Sequence, residues 1–210
     1  VLGLDWGGLE KAAEPQVAAI QAAIDAIAAL PGLADVANTK KLPKGFFAGV
    51  QALSAAYDAY IAAVVTAMPT LAGAARSGTP EGWQACHEQP IGVTGVEGLA
   101  IYRASRPWKD FGPVAQELAR LGEQQFKDIQ ALHTGKDPDQ ISMTGTAVQQ
   151  GRIDFAKRGE LCPLLDPETH RCRAWDQRPF SCRMHHILGD ASAADPRDPR
   201  WPKQVKVFNV

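Results

Sequence analysis

The chain has 210 residues, 45% of them apolar and 21% charged, which is enough apolar material for a normal core and too much for a disordered chain. Its formal net charge of −1 argues against the basic surface of a general nucleic-acid binder, so no nucleic-acid partner is expected. Gln51, Ser54, Asp58 and Thr66 interrupt the longest apolar stretch, and no charged-then-apolar leader is visible, so no membrane span and a cytoplasmic setting are the expectations.

Residues 1–13 read as an irregular lead-in with Trp6 packed on the body. Pro15 then opens a helix at its first turn, with Val17, Ile20, Ile24 and Ile27 at helical spacing and Pro31-Gly32 as the stop. A connection over residues 33–45 exposes Lys40, Lys41 and Lys44. A second helix is expected from about Phe46 to Met68, with Val50, Leu53, Tyr57, Ile61 and Val64 on its stripe and Pro69 at its end. Two successive amphipathic helices predict a helical hairpin. Its alanine-rich faces read as scaffold, or as a surface for a partner or a homodimer.

Residues 69–85 read as a loop carrying Arg76. Thr94-Gly95-Val96-Glu97 matches a capping box and predicts a short helix through Leu99, Ile101 and Tyr102, ending near Pro107. Pro113 opens a longer helix with Val114, Leu118, Leu121, Gln125, Ile129 and Leu132 on one side. Gly135 ends it, with His133 at a C-terminus that favours a cation. A last helix is expected from about Thr146 to Lys157, and only Val205–Phe208 alternates like a strand. The expected fold is mainly α. An alanine-rich hairpin extension (1–82) is packed on an irregular, cysteine-rich metal-binding region of short helices and loops (83–210).

Of the four cysteines, Cys162, Cys172 and Cys182 follow one another with nine residues between neighbours, while Cys86 lies far upstream beside His87. Reduced thiols favour metal over disulfides. Zinc is usually held through close Cys-x2-Cys pairs, which this chain lacks. A four-iron cluster takes four thiolates at varied spacing, and four is the number present. Arg178 and Arg183 can offset an anionic centre, and Arg178, near Asp176 and Asp166, can also brace the loop through an ion pair. Arg171 and Arg173 read as surface charges. Zinc, two disulfides and unrelated buried thiols remain alternatives.

Among the histidines, His87 and His185 are placed beside the site without binding the metal, and His186 joins them as an acid–base candidate. The His185-His186 pair reads equally well as an exposed tail, and His170 as a solvated turn residue. Phosphate-loop, zinc-protease and hydrolase-elbow motifs are absent from the sequence.

The run Cys162-Pro163-Leu164-Leu165-Asp166, then Cys172-Arg173-Ala174-Trp175-Asp176-Gln177-Arg178-Pro179-Phe180-Ser181-Cys182-Arg183, resembles the C-terminal signature of the YkgJ-like cysteine-cluster family of zinc- or iron-chelating proteins. Upstream, that family has several clustered cysteines, a short apolar stretch and a helix with an early glutamate. Here Cys86-His87 and Ile91-Gly92-Val93-Thr94-Gly95-Val96-Glu97 stand in that place with one cysteine, a departure that implies a minimal four-thiolate site. The resemblance covers about residues 83–188 and leaves the hairpin unexplained. It implies metal binding. Similarity to the iron–sulfur flagellin lysine methylases, which carry a related cysteine pattern, points further to a [4Fe-4S] cluster on Cys86, Cys162, Cys172 and Cys182. A structural or redox role with a redox or protein partner follows. The alternatives are an enzyme that uses the cluster on a small molecule or protein side chain, and a zinc-stabilised interaction module. A fold and a metal do not fix a reaction.

Overall fold

A computed structural model describes residues 6–68, 71, 73–87, 93–132, 146–201 and 206–208. The chain is mainly helical, 60% helix against 4% strand. It divides into two units, Val1–Gly73 and Ala74–Asn209.

The first unit holds α1 (Trp6–Ala28), α2 (Val36–Thr39) and α3 (Phe46–Ala67). Helix α1 begins at Trp6, which corrects the expected irregular lead-in, and Pro15 lies inside it. A proline removes one backbone hydrogen bond, but Glu10-Lys11-Ala12-Ala13-Glu14 are strong helix formers and carry the helix up to it. The expected stripe of α1 is half right. Ile20 and Ile27 are partly buried, whereas Val17 and Ile24 are 52% and 43% exposed. The inward face runs through Ala13, Gln16, Ile20, Ala23, Ile27 and Leu30, because small alanines let α1 come close to α3. Gly49 of α3 meets Ile27 there, and a Cβ on it would lie 2.7 Å from Ile27 Cγ1.

Helix α3 buries Phe46, Ile61 and Val64 and ends at Met68, as its periodicity predicts. It is also long and apolar enough to cross a membrane by length and composition, so its polar interruptions do not bring it below that threshold. Core helices of soluble proteins meet the same criterion. Thr66, one of those interruptions, turns its hydroxyl onto the Ala62 carbonyl at 2.8 Å and so adds little polarity to the helix surface.

The second unit contains β1 (Ala75–Arg76), α4 (Gly95–Ser105), α5 (Phe111–Ala131), α6 (Thr146–Ala156), α7 (Phe180–Met184), β2 (His186–Leu188) and β3 (Lys206–Phe208). Short 3-10 turns span Trp83–His87, Trp175–Gln177 and Ala191–Ala194. The strands form one antiparallel sheet in the order β1-β2-β3, with Arg76 opposite His186 and His186 opposite Phe208. Pairing of β1 with β2 draws residues 74–82 into this unit, so the division falls after Gly73 and not after residue 82. Ala85, Ile187, Ala193 and Ala194 form a fully buried core against the sheet. Ile101, Leu164 and Ala174 form another, against which Trp108, Val114 and Leu118 pack.

Helix α4 carries the expected capping box, and Pro113 sits in the first turn of α5. Gly151 of α6 lets that helix close on α5, since a Cβ there would lie 3.1 Å from Ile129 Cγ1. His133 and Gly135 lie outside the described residues.

Candidate metal centre

The four cysteines come from four separate pieces of backbone and line one cavity. Cys86 is buried in the turn Trp83–His87, with its sulfur 3.7 Å from Ser77 Oγ. Cys162 follows α6 in the chain, and its N–H donates to the Cys86 carbonyl at 3.3 Å. Cys172 pairs with Leu165 in an isolated antiparallel bridge, and its N–H donates to the Gly78 carbonyl at 2.9 Å. Cys182 lies in α7. None of the four is in a disulfide.

Local sequence explains the loop between Cys162 and Cys172. Asp166 Oδ1 accepts the N–H groups of Glu168 and Thr169 at 3.0 and 2.8 Å, so the carboxylate folds the chain back on itself. His170 takes a left-handed conformation at φ 56° and stacks on Trp83 with ring centroids 4.4 Å apart. It is thus packed, not solvated. Arg173 continues the bridge, stacks on Trp108 and forms a bidentate pair with Asp110 at 2.6 and 2.7 Å, which makes it a surface ion pair with a structural partner.

Burial pushes all four thiols up, Cys182 to about 12. Their closeness adds to this, since a thiolate on Cys86 or Cys172 would repel one on Cys182. Arg178 on the wall offsets this only in part, so burial keeps the thiols protonated at neutral pH and a metal would have to displace their protons. Opposing contributions are also built in: backbone N–H groups of Gly78, Leu164 and Ala174 are directed at Cys86, Cys162 and Cys172. Such donors suit charged sulfur.

Arg178 closes one wall. It is 4% exposed, its Nη1 donates to the Ser77 carbonyl at 3.0 Å and its Nε to the Trp175 carbonyl at 3.2 Å. The guanidinium lies over the Trp175 ring, 3.4 Å from the centroid. Its Nη2 is buried without a hydrogen-bond partner. Burial, with Arg76 nearby, pulls the group down to about 10, so it stays charged at neutral pH. The expected ion pair of Arg178 with Asp176 or Asp166 is not formed, because the guanidinium is spent on carbonyls and an indole face. Arg183, 1% exposed, is the brace: Nε donates to the Arg178 carbonyl at 2.8 Å and Nη2 to the Asp176 carbonyl.

None of His87, His185 and His186 lines this cavity. His87 donates from Nδ1 to the Gly159 carbonyl at 2.9 Å and its Nε2 faces Arg197 and Asp195 at 3.4 and 3.9 Å. His185 and His186 are both buried, which corrects the exposed-tail reading. His185 caps α7, and its carbonyl accepts the Ser77 N–H at 3.1 Å. His186 begins β2, with Nδ1 on the Met184 carbonyl at 3.0 Å, and burial lowers its basicity.

Three supporting residues could not be found as site residues from sequence. Ser77 and Gly78 touch Cys86, Cys172 and Arg178 from a stretch that reads as plain loop. Gly78 has φ +78°, and a Cβ on it would sit 3.0 Å from Cys172 Cβ. Glu97 is visible as a capping residue, but its reach is not. Its Oε2 accepts from the Thr94 N–H and hydroxyl, each at 2.7 Å, while Oε1 accepts the Phe180 N–H at 2.8 Å. One buried carboxylate therefore caps α4 and the cysteine-bearing α7. Glu97→Ala should lower stability by about 2 kcal/mol, through the lost cap and an unsatisfied Phe180 N–H, read as a shift in the urea midpoint. An unchanged midpoint would show that the link carries no weight.

Among the described residues, no three of His, Cys, Asp and Glu are grouped so as to hold a single metal ion. No protein-family model, no curated protein and no solved structure matches the chain.

Proposed function

We propose that Cys86, Cys162, Cys172 and Cys182 hold one iron–sulfur centre, a [4Fe-4S] cluster, in a structural or redox role. The observation that carries this reading is that every cysteine of the chain lines the same cavity, beside a buried arginine with an unpaired nitrogen. A buried cation with an orphaned donor is costly unless an anion faces it. Four thiolates around an iron–sulfur core supply that anion, and backbone N–H groups directed at sulfur tune its potential. The thiols are not grouped for one ion. Retention in the cytoplasm and exchange of electrons with a protein partner belong to the same proposal.

The size of the cavity favours a second reading. It measures about 30 Å³, room for roughly one or two waters, and a single zinc ion would need less rearrangement of the thiols than a cluster. Anaerobic expression of the four single Cys→Ser variants separates the two. Each should lose most of the broad visible absorption of the parent protein, since a hydroxyl is a poor substitute for thiolate in these clusters. A colourless parent protein would sink the cluster reading, and full absorption in Cys86→Ser would remove Cys86 from the ligand set.

A further inference from the structure

A second cavity adjoins the first and shares part of its wall. It measures about 300 Å³ and lies among α4, α5 and the cysteine loops, with Cys162, Leu164, Pro179 and Cys182 lining both cavities. Ile101, Phe111, Val114 and Leu118 supply most of the remaining apolar wall. Val93 and Tyr102 also line it and are 47% and 49% exposed, which marks the side open to solvent. Among the described residues no charged side chain lines this space. The Ser105 hydroxyl, which does line it, is already spent on the Tyr102 carbonyl at 3.3 Å.

We infer that this cavity is a binding pocket for a small, neutral, largely apolar molecule, held directly against Cys162 and Cys182. Its volume is at the lower end of the range for ligand pockets and suits roughly a dozen non-hydrogen atoms. Neutrality follows from the walls. A charged ligand would be desolvated with no opposite charge to meet it. The gain comes from covering Ile101, Val114, Leu118 and the Phe111 ring, which helix packing leaves facing an empty space.

Gly98 gives the pocket a sharp test. It lines the cavity from α4, and a Cβ built on it meets nothing within 4 Å. Gly98→Leu therefore fills the pocket and replaces a poor helix former with a good one. Ala115→Leu fills it from α5. Gly122→Leu is the control, on α5 outside the lining and with equally open space around its Cβ.

The probe is 1-naphthol, a neutral fluorophore of the size the pocket suits, titrated into the full chain beside its anionic relative 1-naphthalenesulfonate. The expected result is one saturable site for the neutral probe and binding of the sulfonate weaker by roughly tenfold or more. Gly98→Leu and Ala115→Leu should each weaken the neutral probe at least about tenfold while keeping the parent's circular dichroism, and Gly122→Leu should leave it unchanged. Absence of a saturable site, or undiminished binding in both filled variants once folded, would overturn the proposal.

The contact with the centre rests on the metal reading above and has its own measurement. In anaerobically loaded protein, saturation with the neutral probe should perturb the visible absorption, because Cys162 and Cys182 face both cavities. Binding with an unaltered spectrum would contradict that contact. The titration is run on the full chain as purified, with metal assayed in the same sample, so failure of the pocket and failure of the centre are told apart.

Discussion

Stripping the metal from loaded protein should loosen residues 74–209 and leave the hairpin of α1 and α3 as it was. All four cysteines lie in the second unit and none in the first. The centre would tie the turn Trp83–His87, the loop around Cys162 and Cys172, and helix α7 into one knot. Among the described residues, regular pairing beyond this knot is thin: a sheet of two- and three-residue strands and helices joined by loops. Zinc sites of four ligands supply about 10–16 kcal/mol in small domains, as much as the whole stability of an ordinary domain. Removal also leaves Arg178 charged and buried beside neutral thiols. Hydrogen exchange should then show protection falling by orders of magnitude in β2, α7 and the Cys86 turn, with α1 and α3 unchanged. Equal protection with and without metal would show that the metal is not part of the fold.

Gly82→Ala should be among the more damaging substitutions outside the cysteines, at about 3 kcal/mol for one added methyl. A Cβ at this position would lie 2.8 Å from the Arg76 carbonyl carbon and closer still to its oxygen. That carbonyl cannot retreat easily. It accepts the Thr79 hydroxyl at 2.9 Å and the Thr79 N–H at 3.2 Å, and Arg76 is paired in the sheet with His186. Gly82 in turn starts the turn that carries Cys86, since its carbonyl accepts the Ala85 N–H at 3.2 Å. The substitution should lower the urea midpoint of the second unit and reduce metal per chain together. Gly122→Ala, where a Cβ meets open space in α5, should raise stability slightly. A Gly82→Ala protein with parental midpoint and metal content would contradict this account of the turn.

Helices α3, α4 and α5 were legible because apolar period, proline at a first turn and the Thr94–Glu97 box are local signals. The start of α1 was not, because Pro15 reads as a helix opener and the turns before it carry few large apolar residues. Its packed face was misjudged for a related reason: Ala13 and Ala23 pack by being small, while the larger Val17 and Ile24 face outward. Strands β1 and β2 are too short to show alternation, so the burial of His185 and His186 could not be seen. At the site, the cysteine count pointed to one centre without showing how the chain brings the thiols together. The hydrogen bonds that do so link Cys162 to Cys86, Cys172 to Gly78 and Phe180 to Glu97, across separations that no local pattern records. The role of Arg178 was misread because backbone carbonyls, which every residue carries, outcompete the nearby carboxylates.

Direct elemental analysis tests the central claim most simply. The full chain is purified without oxygen and assayed for iron, acid-labile sulfide and zinc per chain. The account predicts iron and sulfide at about four each, little zinc and a broad visible band that oxygen bleaches. One zinc per chain with no sulfide would contradict it.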